Sequence, residues 1–154
     1  MAASNFFLYG PALDAIMDGT IDLDNDSFRL ALVTSSYTPA QTTHDTWSDV
    51  SANEVADGGG YSTHGKALTV TTATSGLVTT VDADDQTWTS STITAKYAVI
   101  VRDADANGAL AGTDLVVAYC DLNSGGGSVS STSASFIVAF NGSGVFAATA
   151  ETAS

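Results

Sequence analysis

A chain of 154 residues suits one domain, and 44% hydrophobic residues mark a globular rather than a disordered composition. Charged residues are only 14%, against about 25% in an ordinary soluble domain. With 17 acidic residues against 4 basic ones, the net charge of −13 excludes a nucleic-acid interface built on counterion release and disfavours an anionic membrane.

Residues 8–18, LYGPALDAIMD, read as the one helix. Leu13, Ile16 and Met17 recur at helical spacing, Pro11 suits a first turn, and Gly19 stops the helix. After the acidic turn DLDND the period changes to that of a strand in SFRLALV, where Phe28, Leu30 and Leu32 share a face. Residues 35–63 form the longest irregular stretch, punctuated by Pro39 and by Gly58, Gly59 and Gly60. Tyr37 and Trp47 are its large apolar anchors and its candidate interface residues.

From residue 64 the strands come regularly. HGKALTVTT is followed by a turn at Ser75 and Gly76, then LVTTVDA. ITAKYAVIVRD (93–103) is the strongest strand, apolar on both faces, which implies a cover on each side. DLVVAYCDL (114–122) reads the same way. NSGGGSVSSTS is expected to be a flexible connection, and SFIVAF (135–140) another strand. Asn141-Gly142 signals a tight hairpin into GVFAAT. Residues 148–154 are expected to be a loose tail. The pattern predicts a single all-β domain over 1–154, a two-layer sandwich of jelly-roll-like type with one short N-terminal helix.

The residues that carry chemistry are few. Cys120 lies among Val116, Val117 and Tyr119, a poor setting for a reactive thiolate. His44 and His64 sit in polar segments, have no zinc-ligand spacing, and read as loop histidines. The glycine runs at 58–60 and 125–127 lack the following helix and lysine of a phosphate loop, so they read as linkers. Asp82, Asp84 and Asp85 form the one carboxylate cluster in which a glycosidase-like pair is imaginable, but a polar strand end explains them as well. The sharpest local signal is DADANGALAGTD: Asp103, Asp105 and Asn107 at alternate positions, Gly108 for a turn, and Asp114 twelfth. This matches part of a calcium loop, although strands rather than helices flank it; an acidic hairpin turn has the same composition. No other cofactor is suggested, and the chain is not expected to be an enzyme. The N-terminus lacks the positive region of a secretory signal, and no apolar run approaches a membrane span, so a soluble cytoplasmic product is expected.

Five segments together resemble small tailed-phage virion proteins, head decoration (cement) proteins in particular. They are GPALDAIMDGTIDLDNDSFRLALVTSSYTP, HDTWSDV, DADDQTWTSSTITAKYAVIVRD, LVVAYCDL and FIVAFNGSGVF, which cover most of residues 9–146. The resemblance implies a β-sandwich that assembles as a homotrimer on a capsid, with the major capsid protein as partner. It transfers no active-site residues. The expected location is the capsid surface of the virion after synthesis in the host cytoplasm. The alternative is a tail- or fibre-associated binding module that recognises glycans through residues 35–63 and Trp47.

Overall fold

The computed structural model describes residues 5–152. In chain order, the elements begin with β1 (Phe7–Leu8), α1 (Gly10–Met17), β2 (Ser27–Val33) and β3 (Lys66–Leu68). Next come β4 (Val70–Ser75), β5 (Val78–Ala83), β6 (Gln86–Ser91), β7 (Thr94–Ala95) and β8 (Tyr97–Asp103). β9 (Val116–Asp121), β10 (Val129–Ser130), β11 (Ala134–Val138) and β12 (Phe146–Thr149) follow. The result is an all-β sandwich with one short helix.

The most apolar segments build the first layer, an antiparallel sheet of order β1-β9-β8-β2-β3. β2 and β8 pair without interruption from Ser27↔Asp103 to Val33↔Tyr97. The second layer is a long ribbon in which residues 78–95 run against residues 129–149. β6 pairs with β11, and β7 with β10, in the same register on either side of an irregularity at Ala134. The buried hydroxyls of Ser91 and Ser131 meet there at 2.9 Å. Ser91 also donates to the Ala134 carbonyl, and Ser131 accepts from the Ile93 amide, so the broken ladder keeps its polar groups paired. Further along the ribbon β5 pairs with β12, and β4 lies outside β5.

Several predicted elements divide. The strand expected over 93–103 breaks at Lys96, which sends β7 to the second layer and β8 to the first. HGKALTVTT likewise breaks at Thr69 between β3 and β4. These are corners where the chain changes sheets, and an apolar pattern running through both sides of a corner does not reveal it. Asn141 does open a turn, since the Gly144 amide donates to its carbonyl at 2.7 Å. The expected hairpin is absent, however, because β11 pairs with β6 and β12 with β5. Residues 139–145 are instead a wide bulge in the ribbon, held by the Phe140 amide on Asp85 Oδ1 (2.8 Å) and the Val145 amide on the Val81 carbonyl (2.7 Å). The stretch expected to be a flexible connection contains β10. The tail is not loose from 148: Ala148 and Thr149 belong to β12, and the Ala150 amide donates to the Leu77 carbonyl. Residues 153–154 of that tail lie outside the described residues.

One cluster of buried side chains fills the sandwich. On one face of the first sheet Lys66, opposite Leu30, reaches over the Trp88 ring at 5.5 Å, so the Leu30 and Ile100 face meets Trp88 and Phe136 of the second layer. The other face carries Tyr97 and Tyr119, which pack against Tyr37 (5.8 Å) and Tyr9 (5.0 Å). Tyr9 precedes the helix and Tyr37 begins the long segment, so these two pieces form the second cover. α1 buries Ala12, while Leu13 and Met17 remain exposed.

Trp88→Ala is expected to destabilise the fold by about 3–5 kcal/mol, as for an emptied aromatic site in a core. Met17→Ala, at an exposed position, should stay within about 0.5 kcal/mol of the parent. Urea unfolding of the two variants beside the parent checks both values.

Candidate functional site

The long segment after β2 is fastened at two places. Its first fastening is a short 3-10 turn, Trp47–Asp49, capped reciprocally by Thr46 and Asp49. The Trp47 amide donates to the Asp114 carbonyl at 2.7 Å, and Ser48 to the Gly112 carbonyl at 3.0 Å. In return the Val116 amide donates to the Asp45 carbonyl at 3.0 Å. These bonds draw the indole of Trp47 into the core, where it is 2% exposed. Tyr37 is 3% exposed. Neither ring therefore presents the interface area expected from the sequence, because each anchors the segment to its own sheet. The Tyr37 hydroxyl sits between the Tyr9 hydroxyl and His44 Nδ1, at 2.7 Å from each. Burial pushes the Tyr9 and Tyr37 pKa values up, so both phenols stay protonated. His44 is consequently tied into the aromatic cover instead of standing free on a loop.

The second fastening centres on Glu54. The Val55 amide donates to the Leu32 carbonyl and the Thr34 amide to the Asn53 carbonyl, both at 2.9 Å, extending the β2 edge where β3 stops. Tyr61 donates its hydroxyl to Glu54 Oε1 at 2.7 Å and accepts from the Leu32 amide at 3.0 Å. Arg29 donates to the carbonyls of His64 (2.7 Å) and Gly65 (2.8 Å). Burial raises the Glu54 pKa, opposed by the Tyr61 and His64 hydrogen bonds and by the charge of Arg29. The His64 backbone is left-handed (φ 68°), and its buried Nδ1 has no hydrogen-bond partner among the described residues. The glycines at 58–60 are not a linker here. Gly59 has φ +59°, its carbonyl accepts from the Thr92 amide at 2.7 Å, and a Cβ there would collide with the Thr92 carbonyl. Sequence reasoning missed this clasp, whose one visible sign is a tyrosine straight after three glycines.

The acidic turn at 103–114 brings its candidate ligands together differently from a calcium loop. Asp114 is buried, with Oδ1 accepting from Ala104 N (3.2 Å) and Oδ2 from Ala111 N (2.8 Å). Asp103 is also buried; its Oδ2 accepts from Gly108 N at 2.9 Å, and its Oδ1 has no partner among the described residues. Asn107 Oδ1 accepts from Ala109 N at 2.8 Å, and Asp105 is exposed. An ion needs these oxygens turned toward one point, whereas the turn directs most of them at its own amides. Among the described residues no group of three or more His, Cys, Asp or Glu side chains is placed to hold a metal ion.

The remaining candidates also have structural positions. Asp82 lies in β5 and bonds the Ala83 amide, whereas Asp84 and Asp85 lie beyond the strand, so Asp82 and Asp84 do not share a strand face. Asp85 pins the ribbon bulge through Phe140. Cys120 is fully buried in β9. Comparison of the chain with protein-family models, with curated proteins and with solved structures gives no match.

Asp114→Ala strips acceptors from two amides and is expected to cost about 1–3 kcal/mol by urea unfolding. Millimolar calcium should leave the midpoints of parent and variant unchanged. A calcium-dependent rise in the parent, lost in the variant, contradicts that account. Hydrogen bonds from Thr46 and Asp45 hold the Asp49 carboxyl below its ordinary pKa. A depressed folded-state pKa gives stability that is present above the ordinary Asp value of about 3.9 and lost as pH falls through the depressed one. Asp49→Asn should therefore flatten the acid limb of a melting-temperature profile taken from about pH 6 to about pH 2.

Proposed function

We propose that this chain is a structural protein of a tailed-phage particle that decorates the head and stabilises it by binding major capsid subunits. The observation that carries this reading is the destination of the reactive side chains. Tyr37 and His44 bond each other, Glu54 receives Tyr61 and a backbone amide, and Asp103 and Asp114 hold the turn that bears them. Bonds of this kind give a stiff, pre-shaped exterior, which lowers the ordering cost of docking on a shell. The resemblance to head decoration proteins points the same way, with a homotrimer as the unit that suits a threefold site on a shell. The acidic exterior would complement basic patches on the capsid. The reading as a glycan-recognising tail or fibre module draws no support from Trp47, whose buried ring offers no stacking platform.

Densitometry of a protein gel of purified virions tests the role. A decoration protein should stain at a copy number comparable with the major capsid protein, and a tail or fibre module at far fewer copies. Binding of the purified protein to shells that lack it should weaken as salt is raised, and affinity indifferent to ionic strength speaks against the electrostatic part.

A further inference from the structure

The chain contains two Asn-Gly pairs, Asn107-Gly108 and Asn141-Gly142. Such a pair can react with itself. The backbone nitrogen of the glycine attacks the side-chain carbonyl carbon of the asparagine, and a glycine has no Cβ to bar the approach. The two pairs are alike at the electrophile. Asn107 Oδ1 accepts from the Ala109 amide at 2.8 Å, and Asn141 Oδ1 from the Ser143 amide at 3.0 Å. Each bond folds the side-chain carbonyl back along the residue that follows. Each also places a donor where negative charge develops during the attack.

The pairs differ at the nucleophile. The Gly108 amide donates to Asp103 Oδ2 at 2.9 Å, on a side chain that is itself buried. A backbone nitrogen must give up its hydrogen before it can attack, and this bond holds the hydrogen in place. It also turns the nitrogen toward Asp103 and away from Asn107. The Gly142 nitrogen has no hydrogen-bond partner among the described residues, and Gly142 is exposed. The turn around it is nevertheless fixed, by the Gly144 amide on the Asn141 carbonyl (2.7 Å) and by the pinned amides of Phe140 and Val145. Asn141-Gly142 therefore combines a polarised carbonyl with an unengaged nitrogen in a held turn.

We propose that Asn141-Gly142 is a self-modification site, where Asn141 passes through a succinimide ring to aspartate and isoaspartate, and that Asp103 shields Asn107 from the same reaction. The Gly142 nitrogen loses its proton to solvent, and its electron pair forms the bond to Asn141 Cγ. The Cγ–Nδ2 bond breaks, and Nδ2 takes a proton from solvent and leaves as ammonia. Water then opens the ring by cleaving one of its two C–N bonds. Cleavage at Cγ gives aspartate, and cleavage at the backbone carbonyl carbon gives isoaspartate, with a lengthened main chain. The product alters a seam of the fold. Asn141 Nδ2 donates to Asn5 Oδ1 at 3.2 Å, beside the stacked rings of Phe6 and Phe140 at 4.7 Å. A carboxylate cannot make that donation. It also brings charge into residues 122–150, which hold no Asp, Glu, Lys or Arg. There it stands on the wall of a groove of about 430 Å³ shared with Phe7, Val145 and Phe146, in which no lining side chain is ionisable. The proposal concerns the chain alone and does not depend on the particle it serves.

Incubation of the full chain in mildly alkaline buffer, folded and in urea, tests it through peptide mapping by mass spectrometry over time. In the folded chain Asn141 is expected to convert, with isoaspartate among the products, while Asn107 keeps its amide. In urea the Asp103 bond is gone, and both asparagines should convert at similar rates. Gly142→Ala should suppress conversion at Asn141. A Cβ at Gly142 meets nothing within 4 Å and its φ is not left-handed, so this variant should keep the circular dichroism and melting temperature of the parent. An Asn141 that stays intact in the folded chain overturns the proposal, as does an Asn107 that converts equally fast there. A product that is aspartate alone signals direct hydrolysis and removes the ring. An Asn107 that remains resistant in urea removes the shielding by Asp103. These readings come from the parent chain, so they decide the matter even if Gly142→Ala misfolds.

Discussion

A strand with no polar face needs two covers, and β8 is such a strand: from Ala98 to Val101 each residue is buried. On one side the cover is the ribbon, through Trp88 and Phe136. On the other, no third sheet lies among the described residues. The protein supplies α1 with Tyr9 and the long segment with Tyr37. Burying a large side chain contributes roughly 1.5–3 kcal/mol, so this second cover is a substantial share of the stability rather than a decoration of it.

The polar bonds of the molecule follow from the same requirement. An irregular segment laid over an apolar sheet brings its own amides and carbonyls with it, and they must find partners there. The Asp114 carbonyl accepts from the Trp47 amide and the Glu54 carboxylate from the His64 amide, while the Asp114 carboxylate accepts from Ala104 and Ala111 of its own turn. The carboxylates that look most like ligands in the sequence are therefore the ones most needed by the backbone. An isolated reading of their spacing cannot separate the two roles, because turns and calcium loops select Asp, Asn and Gly for the same reason: short side-chain oxygens close to the main chain.

Local periodicity was a good guide wherever the partner of a residue did not matter. The helix at Gly10–Met17, the strand at Ser27–Val33 and the doubly apolar character of residues 97–103 are all legible from alternation and from Pro11 and Gly19. The corners at Thr69 and Lys96 are not, since the pattern there stays strand-like while the sheet changes. Asn141-Gly142 misled for a related reason. It does make a turn, but which strands pair around it is settled by Asp85 and Val81, more than fifty residues away in sequence. The candidate interface residues failed on the same ground: Tyr37 and Trp47 are apolar in an irregular segment, and only the tertiary structure decides whether such rings face outward or in.

The ribbon has a consequence for the way the molecule reaches its fold. Its partners are distant in sequence, Val78 opposite Thr149 and Gln86 opposite Val138, so the ladder closes only after a long loop has been brought round. Pairing of this kind is slow, and until it is complete uncharged strands such as residues 134–138 and 146–149 wait unpaired in a crowded solution. Like charge on the rest of the chain keeps such incomplete molecules apart. The acid excess is thus at work before there is a surface for it to coat, as a kinetic guard that lets each ribbon find its own second half first.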